Sequence, residues 1–256
     1  MVYELIDTHC HLDFPEFDTD REEVILRANR QGVNYIINVG SSLSGSETGL
    51  RLSSKFDCIF PSIGIHPHEA DSFNSRTLTS IKSLAKQGKV VAIGEIGLDY
   101  FKNYSKPQNQ REMFSALLSL AKELSLPVII HSRNAEADIL EILNEYLPLK
   151  AVVHCFSGSA DFLKRCFDLG LFVSFTCNIT YKKSEDVRSL VSMAPLDKIF
   201  LETDAPFLSP EGLRGRRNEP MNVTYLADEI ARIKGITPQE VAVTTSAGAK
   251  VFFNLK

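Results

Sequence analysis

Six histidines occur among the 256 residues, and all six stand at or just beyond the ends of short apolar runs. His9 and His11 form a His-x-His pair in Asp7-Thr8-His9-Cys10-His11-Leu12. Residues two apart on a strand point to one side, so the two imidazoles can chelate one metal ion while Cys10 faces away. His66 and His68 follow another run, in Gly64-Ile65-His66-Pro67-His68. His131 stands in Ile130-His131-Ser132-Arg133, and His154 in His154-Cys155-Phe156-Ser157-Gly158. Two carboxylates hold equivalent places: Glu95 in Gly94-Glu95-Ile96-Gly97-Leu98-Asp99, and Asp204 in Glu202-Thr203-Asp204-Ala205-Pro206-Phe207. Each has a plainer reading alone: a hydrogen-bonded core histidine, a salt-bridged Glu95, or Asp204 as a turn cap before Pro206. Together, His9, His11, His131, His154, Glu95 and Asp204 suit Zn, Mn, Co, Ni or Fe, and with open positions Mg. A carboxylate has two oxygens and can bridge two cations. Two ions about 3.5–4 Å apart would make a hydrolytic site; one ion in a deaminase-like arrangement is the mononuclear alternative.

These residues converge only if their strands end on one face. Apolar runs at 5–9, 35–39, 58–65, 90–93, 127–130, 151–153, 171–175 and 199–201 read as eight strands. They are near-continuous in Val, Ile, Leu and Phe, as strands buried on both faces should be. Helical patterns lie between them, clearest at 20–31, 110–124, 134–146 and 221–234, and weaker at 43–55, 76–87, 159–169 and 184–193. A final helix is expected at 238–253, with Thr237 as N-cap and Pro238 in its first turn. Eight strand–helix pairs predict a single α/β domain over residues 1–256, a (β/α)8 TIM barrel with an extra C-terminal helix. In such a barrel the C-terminal strand ends carry the active site, and every histidine here falls there. An open doubly wound sheet is the alternative.

Composition narrows the function. With Lys plus Arg 28 and Asp plus Glu 32, the net charge of −4 excludes a general nucleic-acid coat, which needs a basic excess. No apolar stretch approaches a membrane span. Met1-Val2-Tyr3-Glu4 shows no basic n-region before an apolar segment. The five cysteines are odd in number and contain no Cys-x-x-Cys pair. A reduced, cytoplasmic protein without an obligate protein partner is therefore expected. Gly40 to Glu47 has the glycine spacing of a P-loop but lacks its Lys. No Gly-x-Ser-x-Gly elbow is present. Arg214-Gly215-Arg216-Arg217 is the densest basic cluster, in the long loop after the eighth strand. It reads either as a phosphate grip or as a solvated loop paired with Glu211 and Glu219. Arg133 and Lys106 add charge, and Tyr100, Phe101 and Tyr104 could stack on a base or pack the loop.

The segments around His9, His66, Glu95, His131, His154 and Asp204, followed by Arg214-Gly215-Arg216-Arg217-Asn218-Glu219-Pro220, resemble in order those of the TatD family, a branch of the amidohydrolase superfamily. The resemblance runs over about residues 6–252. It implies a barrel with one ion on His9, His11 and Asp204, a second on His131 and His154, and Glu95 bridging them. It implies deoxyribonuclease activity, including 3′-to-5′ exonuclease action on single strands, usually with Mg or Mn. For some relatives it implies removal of D-amino acids from tRNA. Two positions depart from the family pattern: Asn134 stands where Asp is usual, and Ala247 where Asn is usual.

The expected reaction is thus phosphodiester hydrolysis of DNA by metal-bound hydroxide, with two divalent ions (Mg, Mn or Zn) as cofactors. Asp204 would serve as ligand and proton acceptor, and Glu95 as bridge. His66 would donate a hydrogen bond to the phosphoryl group, with His68 one step behind. Arg133, Arg214, Arg216 and Arg217 would meet phosphates. The alternatives are an acyl ester or amide hydrolase, such as a D-aminoacyl-tRNA deacylase, and a non-catalytic nucleic-acid-binding module.

Overall fold

A computed structural model describes residues 3–255. Met1 and Val2, which carried part of the reading of the N-terminus, lie outside the described residues, as does Lys256. The strands are β1 (Leu5–Cys10), β2 (Val33–Val39), β3 (Ile59–Ile63), β4 (Ala92–Asp99), β5 (Val128–Arg133), β6 (Ala151–Val153), β7 (Phe172–Phe175) and β8 (Ile199–Leu201). They pair in parallel, in sequence order, as one eight-stranded sheet. The long helices are α1 (Arg21–Arg30), α2 (Leu43–Lys55), α3 (Ser75–Leu84), α4 (Pro107–Leu124), α5 (Glu136–Tyr146), α6 (Ala160–Asp168), α7 (Glu185–Met193), α8 (Val223–Lys234) and α9 (Pro238–Phe253). The architecture is the expected TIM barrel with an extra C-terminal helix. Among the described residues, no helix is long and apolar enough to cross a membrane.

The sheet meets itself just beyond the end of β8. The Asp204 amide donates to the His9 carbonyl at 2.8 Å, and the His11 amide to the Ala205 carbonyl at 2.7 Å. Closure of the barrel and placement of these residues are therefore one event.

Strand residues divide by alternation. Ile36, Val128, Ile130, Ala151, Val153, Ile199 and Leu201 pack with the helices in the larger core. Their neighbours Ile37, Ile129, Val152 and Phe200 belong to a second cluster with Phe252 and Phe253 of α9. Residues alternate faces along a strand, so the second cluster fills the barrel interior and α9 covers its lower end. The expected cap of α9 forms: the Thr237 side chain accepts from the Glu240 amide, and Glu240 reaches back to the Thr237 amide.

Element boundaries differ from expectation in instructive places. The fourth strand, predicted at 90–93, begins at Ala92 and runs on to Asp99, so Glu95 sits within the strand rather than at its end. Gly94 and Gly97 hid this continuation. A Cβ on Gly97 would lie 2.0 Å from the His131 carbonyl oxygen, at a φ of 142°, so this strand needs glycine where β5 crowds it. The third strand is shorter than 58–65, ending at Ile63, and the fourth helix starts three residues early at Pro107.

Candidate metal centre

The predicted ligands come together at the mouth of the barrel, around Glu95. Nε2 of His9 and Nε2 of His11 stand 3.2 Å apart. Glu95 Oε2 lies 3.8 Å from the first and 3.9 Å from the second. Asp204 Oδ1 lies 3.7 and 3.5 Å from the same two atoms. On the other side, Glu95 Oε1 lies 2.9 Å from His131 Nδ1 and 2.7 Å from His154 Nε2. Those two nitrogens are 3.2 Å apart. Atoms that share one ion at about 2.1 Å stand roughly 3.0–3.4 Å from each other, so each group could close on a cation with little movement. Each half draws on a different oxygen of Glu95.

Hydrogen bonds at the far sides of the rings fix which nitrogens face inward. His11 Nδ1 is 2.9 Å from the Val39 carbonyl oxygen, which can only accept, so Nδ1 carries a proton and Nε2 is the nitrogen turned to the centre. His131 Nε2 lies 3.3 Å from Asp99 Oδ2, leaving Nδ1 toward Glu95. His66 is the reverse case. Its Nδ1 accepts from the His68 amide at 3.1 Å, so its Nε2, 3.6 Å from Glu95 Oε1, carries the proton. In that tautomer His66 presents a donor to the cavity, while its position with Glu95 and His131 also forms a group that could hold an ion.

The imidazole nitrogens are aimed at one another and at a buried carboxylate, and the ionisation of the side chains reflects that crowding. Burial opposes ionisation of Glu95, but the neighbouring His154 and His66 hold its carboxyl well below the usual range. Burial also opposes charge on His11, yet the Asp204 carboxylate keeps its imidazole protonated up to about 9. For His66 burial outweighs the pull of the nearby Glu95 carboxylate and pushes it down to about 3. The donor set and the geometry fit a metal pair.

A family model described as TatD-related DNase matches residues 6–254. The chain belongs to the TatD-related DNase family. It is a metal-dependent hydrolase acting on ester bonds. It is 40% identical to the Bacillus subtilis metal-dependent hydrolase YabD over 98% of this chain and 99% of that one. It is 36% identical to the 3′-5′ ssDNA/RNA exonuclease TatD of Citrobacter koseri, over 98% and 99% of the two chains. Its fold superposes on the solved structure of YJJV, a TatD homologue from Escherichia coli K12, with a TM-score of 0.94, 31% identity and full coverage of both chains.

In this TatD-family chain the centre opens into a cavity of about 480 Å³ lined by Phe14, Ser41, Ser42, His68, Glu69 and Phe207 as well as ligand candidates. A larger cavity, about 610 Å³, lies at the opposite end beside Phe252 and Phe253; its lining includes no histidine. The four arginines separate. Arg217 does not face the cavity: its guanidinium holds Asp20 at 2.7 Å, Glu219 at 3.0 Å and the Glu16 carbonyl, over the Phe17 ring. Its donors tie the loop to the segment that leads into α1, where the sequence had expected a phosphate grip. Arg214 stacks on Tyr181 and lies 3.7 Å from Glu211. Arg133 is exposed over Phe101, in a neighbouring hollow with Asn134 and Gly158. Arg216 is exposed on the loop. Tyr100 is not free to stack on a base, because its hydroxyl donates to Asp138 at 2.7 Å. Asn134 takes a left-handed φ of 53°, a conformation asparagine tolerates, and Ala247 is exposed while Ser246 beside it donates to the Glu4 carbonyl.

Asp99, Glu202 and Phe207 were quoted in motifs but given no task, and Phe14 was not singled out at all. Asp99 Oδ2 lies 2.9 Å from His68 Nε2 as well as close to His131. Glu202 is buried and accepts from the Cys155 amide at 2.7 Å. Phe14 stacks on His11 at 4.8 Å, with Phe207 edge-on to Phe14 at 5.9 Å. The one signal for Glu202 was its position two residues before Asp204.

Proposed function

We propose that this hydrolase cleaves phosphodiester bonds at the 3′ ends of single-stranded nucleic acid, with two divalent ions, Mg, Mn or Zn. The observation that carries the reading is Glu95, whose two oxygens each serve a separate group of nitrogen and carboxylate donors. One ion would be held by His9, His11, Asp204 and Glu95 Oε2, the other by His131, His154 and Glu95 Oε1. Bound there, the pair would polarise the phosphoryl oxygen and bring a water molecule's pKa toward about 7.

The chain's own groups do the rest. Asp204, partly exposed to the cavity, accepts the proton released when water attacks phosphorus. His66 donates from Nε2 to a phosphoryl oxygen as negative charge grows there. Asp99 keeps His131 turned with Nδ1 inward. Phe14 and Phe207 present aromatic faces at the cavity rim, suited to the terminal nucleoside. Arg216, exposed on the loop, is the arginine of the cluster left for a flanking phosphate, since Arg214 and Arg217 are paired with carboxylates. The substrate class rests on the relatives named as 3′-5′ ssDNA/RNA exonucleases.

The test uses metal-stripped protein restored separately with Mg, Mn or Zn and given end-labelled single-stranded and duplex DNA and RNA, beside Glu95→Ala. A one-nucleotide ladder from the 3′ end that needs both metal and Glu95 is expected. Protein that holds two ions and leaves every phosphodiester intact would overturn the substrate.

A further inference from the structure

Glu202 is a buried carboxylate that the reaction above does not use. The rings of His9 and His154 stack, with centroids 4.1 Å apart and planes 16° from parallel. Stacking sends both Nε2 atoms toward Glu95 and both Nδ1 atoms the other way. Glu202 lies on that other side: Oε1 is 3.6 Å from His154 Nδ1 and Oε2 is 4.0 Å from His9 Nδ1. Neither Nδ1 has a partner within hydrogen-bond distance, although both are buried. The stacked pair is thus held between two carboxylates, each of which offers one oxygen to each ring.

His9 and His154 belong to different halves of the centre in the two-ion reading, on which this inference rests. We infer that Glu202 is a shared positioning residue, which accepts the Nδ1 proton of one histidine from each half and so tunes both metal positions through one side chain. An imidazole that gives its Nε2 lone pair to a cation keeps its proton on Nδ1, and that proton needs an acceptor. For both rings the acceptor facing it is Glu202. A shift of a few tenths of an ångström to about one brings both contacts within hydrogen-bond length. The Cys155 amide, at 2.7 Å from Oε1, anchors the carboxylate meanwhile. Asp99 provides the internal contrast, since of the proposed ligands it supports His131 alone, in the second half.

The experiment is calorimetric titration of metal-free protein with Mn and Co, with the Co visible spectrum recorded in parallel, on wild type, Glu202→Gln, Glu202→Ala and Asp99→Asn. Wild type is expected to take two ions. In Glu202→Ala both dissociation constants should rise by about 10–100-fold, the usual cost of losing a carboxylate behind a ligating histidine. In Glu202→Gln they should rise unequally, because an amide has one accepting oxygen and can serve one ring. In Asp99→Asn only the second ion should weaken. Glu202 variants that bind both ions like wild type, or weaken one alone in Glu202→Ala, overturn the shared role. Wild type that takes up fewer than two ions overturns the two-ion reading instead. A measurement on wild type guards against a variant that fails to fold. In zinc-loaded, nitrogen-labelled protein, His9 and His154 should each show a slowly exchanging proton on Nδ1, and their absence would equally overturn the role.

Discussion

At the residue scale, the two faces of each imidazole decide who binds and who donates. Loss of the bridge should remove both functions of Glu95. In Glu95→Gln, metal content should fall below two ions and the hydrolytic rate by about 10³-fold or more, equivalent to roughly 4 kcal/mol of barrier. Elemental analysis and kcat on one preparation check both. His66 should behave differently, because its Nδ1 is occupied by the His68 amide and its Nε2 carries a proton. His66→Ala should keep two ions while kcat falls by about 10²-fold, the usual cost of one lost donor at a developing charge. Metal loss in that variant would make His66 a ligand after all. The proposed ligands were legible in the sequence because six histidines in 256 residues all fell at strand ends. The tasks of Glu202 and Asp99 were not. Each acts on a ring from another strand, His154 lying 48 residues before Glu202 in sequence, and ring orientation is set by the closed barrel.

At the element scale, strands position the centre and loops are tied to it. Glu95 and His131 are held in register because β4 lies tight against β5, with Gly97 opposite His131. Gly97→Ala would drive a methyl group into the His131 carbonyl, a backbone atom that cannot swing away. A loss of about 3 kcal/mol in stability is expected, together with weaker metal binding, measurable by denaturant unfolding and by titration. The sequence placed the apolar run of strand four at 90–93, with Glu95 at the strand's end; the strand in fact runs on to Asp99, and Gly97 marks the close approach of β5. The loop after β8 is fixed by Arg217, which bridges Asp20 and Glu219 while Arg27 holds both carboxylates from the other side. The hydrogen bond from Arg217 lowers the Asp20 carboxyl from 3.8 to about 2. A depressed folded pKa stabilises fully above the unfolded value and ceases to do so as pH falls through the folded one. Arg217→Met should therefore be less stable than wild type by about 1 kcal/mol near neutrality. The gap should close between about pH 4 and pH 2. A gap that persists at pH 2 would assign Arg217's contribution to packing on Phe17 instead.

At the scale of the whole molecule, the barrel divides its labours between its ends. Near-continuous Val, Ile and Leu runs and the Thr237-Pro238 start made eight strands and the final helix readable before any contact was known, since both signals are local. What α9 does was not readable, because its partners are spread over the whole chain. Phe252 and Phe253 pack on Phe200, and Phe172 stacks on Phe200 from β7. Ile37, Ile129 and Val152 complete the same cluster inside the barrel. This apolar plug closes the end of the sheet opposite the histidines, and no residue of the centre belongs to it. In barrels the lower face carries stability and the upper face chemistry. Phe252→Ala should then cost about 3–5 kcal/mol of unfolding free energy, the usual range for a deleted core phenylalanine. Under conditions where the variant is still folded, its two metal dissociation constants should stay within about twofold of wild type, as for sites that share no partners. Denaturant curves of metal-free protein give the first quantity, and titration with Mn the second. Should metal affinity fall in step with stability, the plug would be setting strand positions as far as the barrel mouth, and the centre would depend on the whole interior rather than on the ring of hydrogen bonds that joins Asp204 to His9.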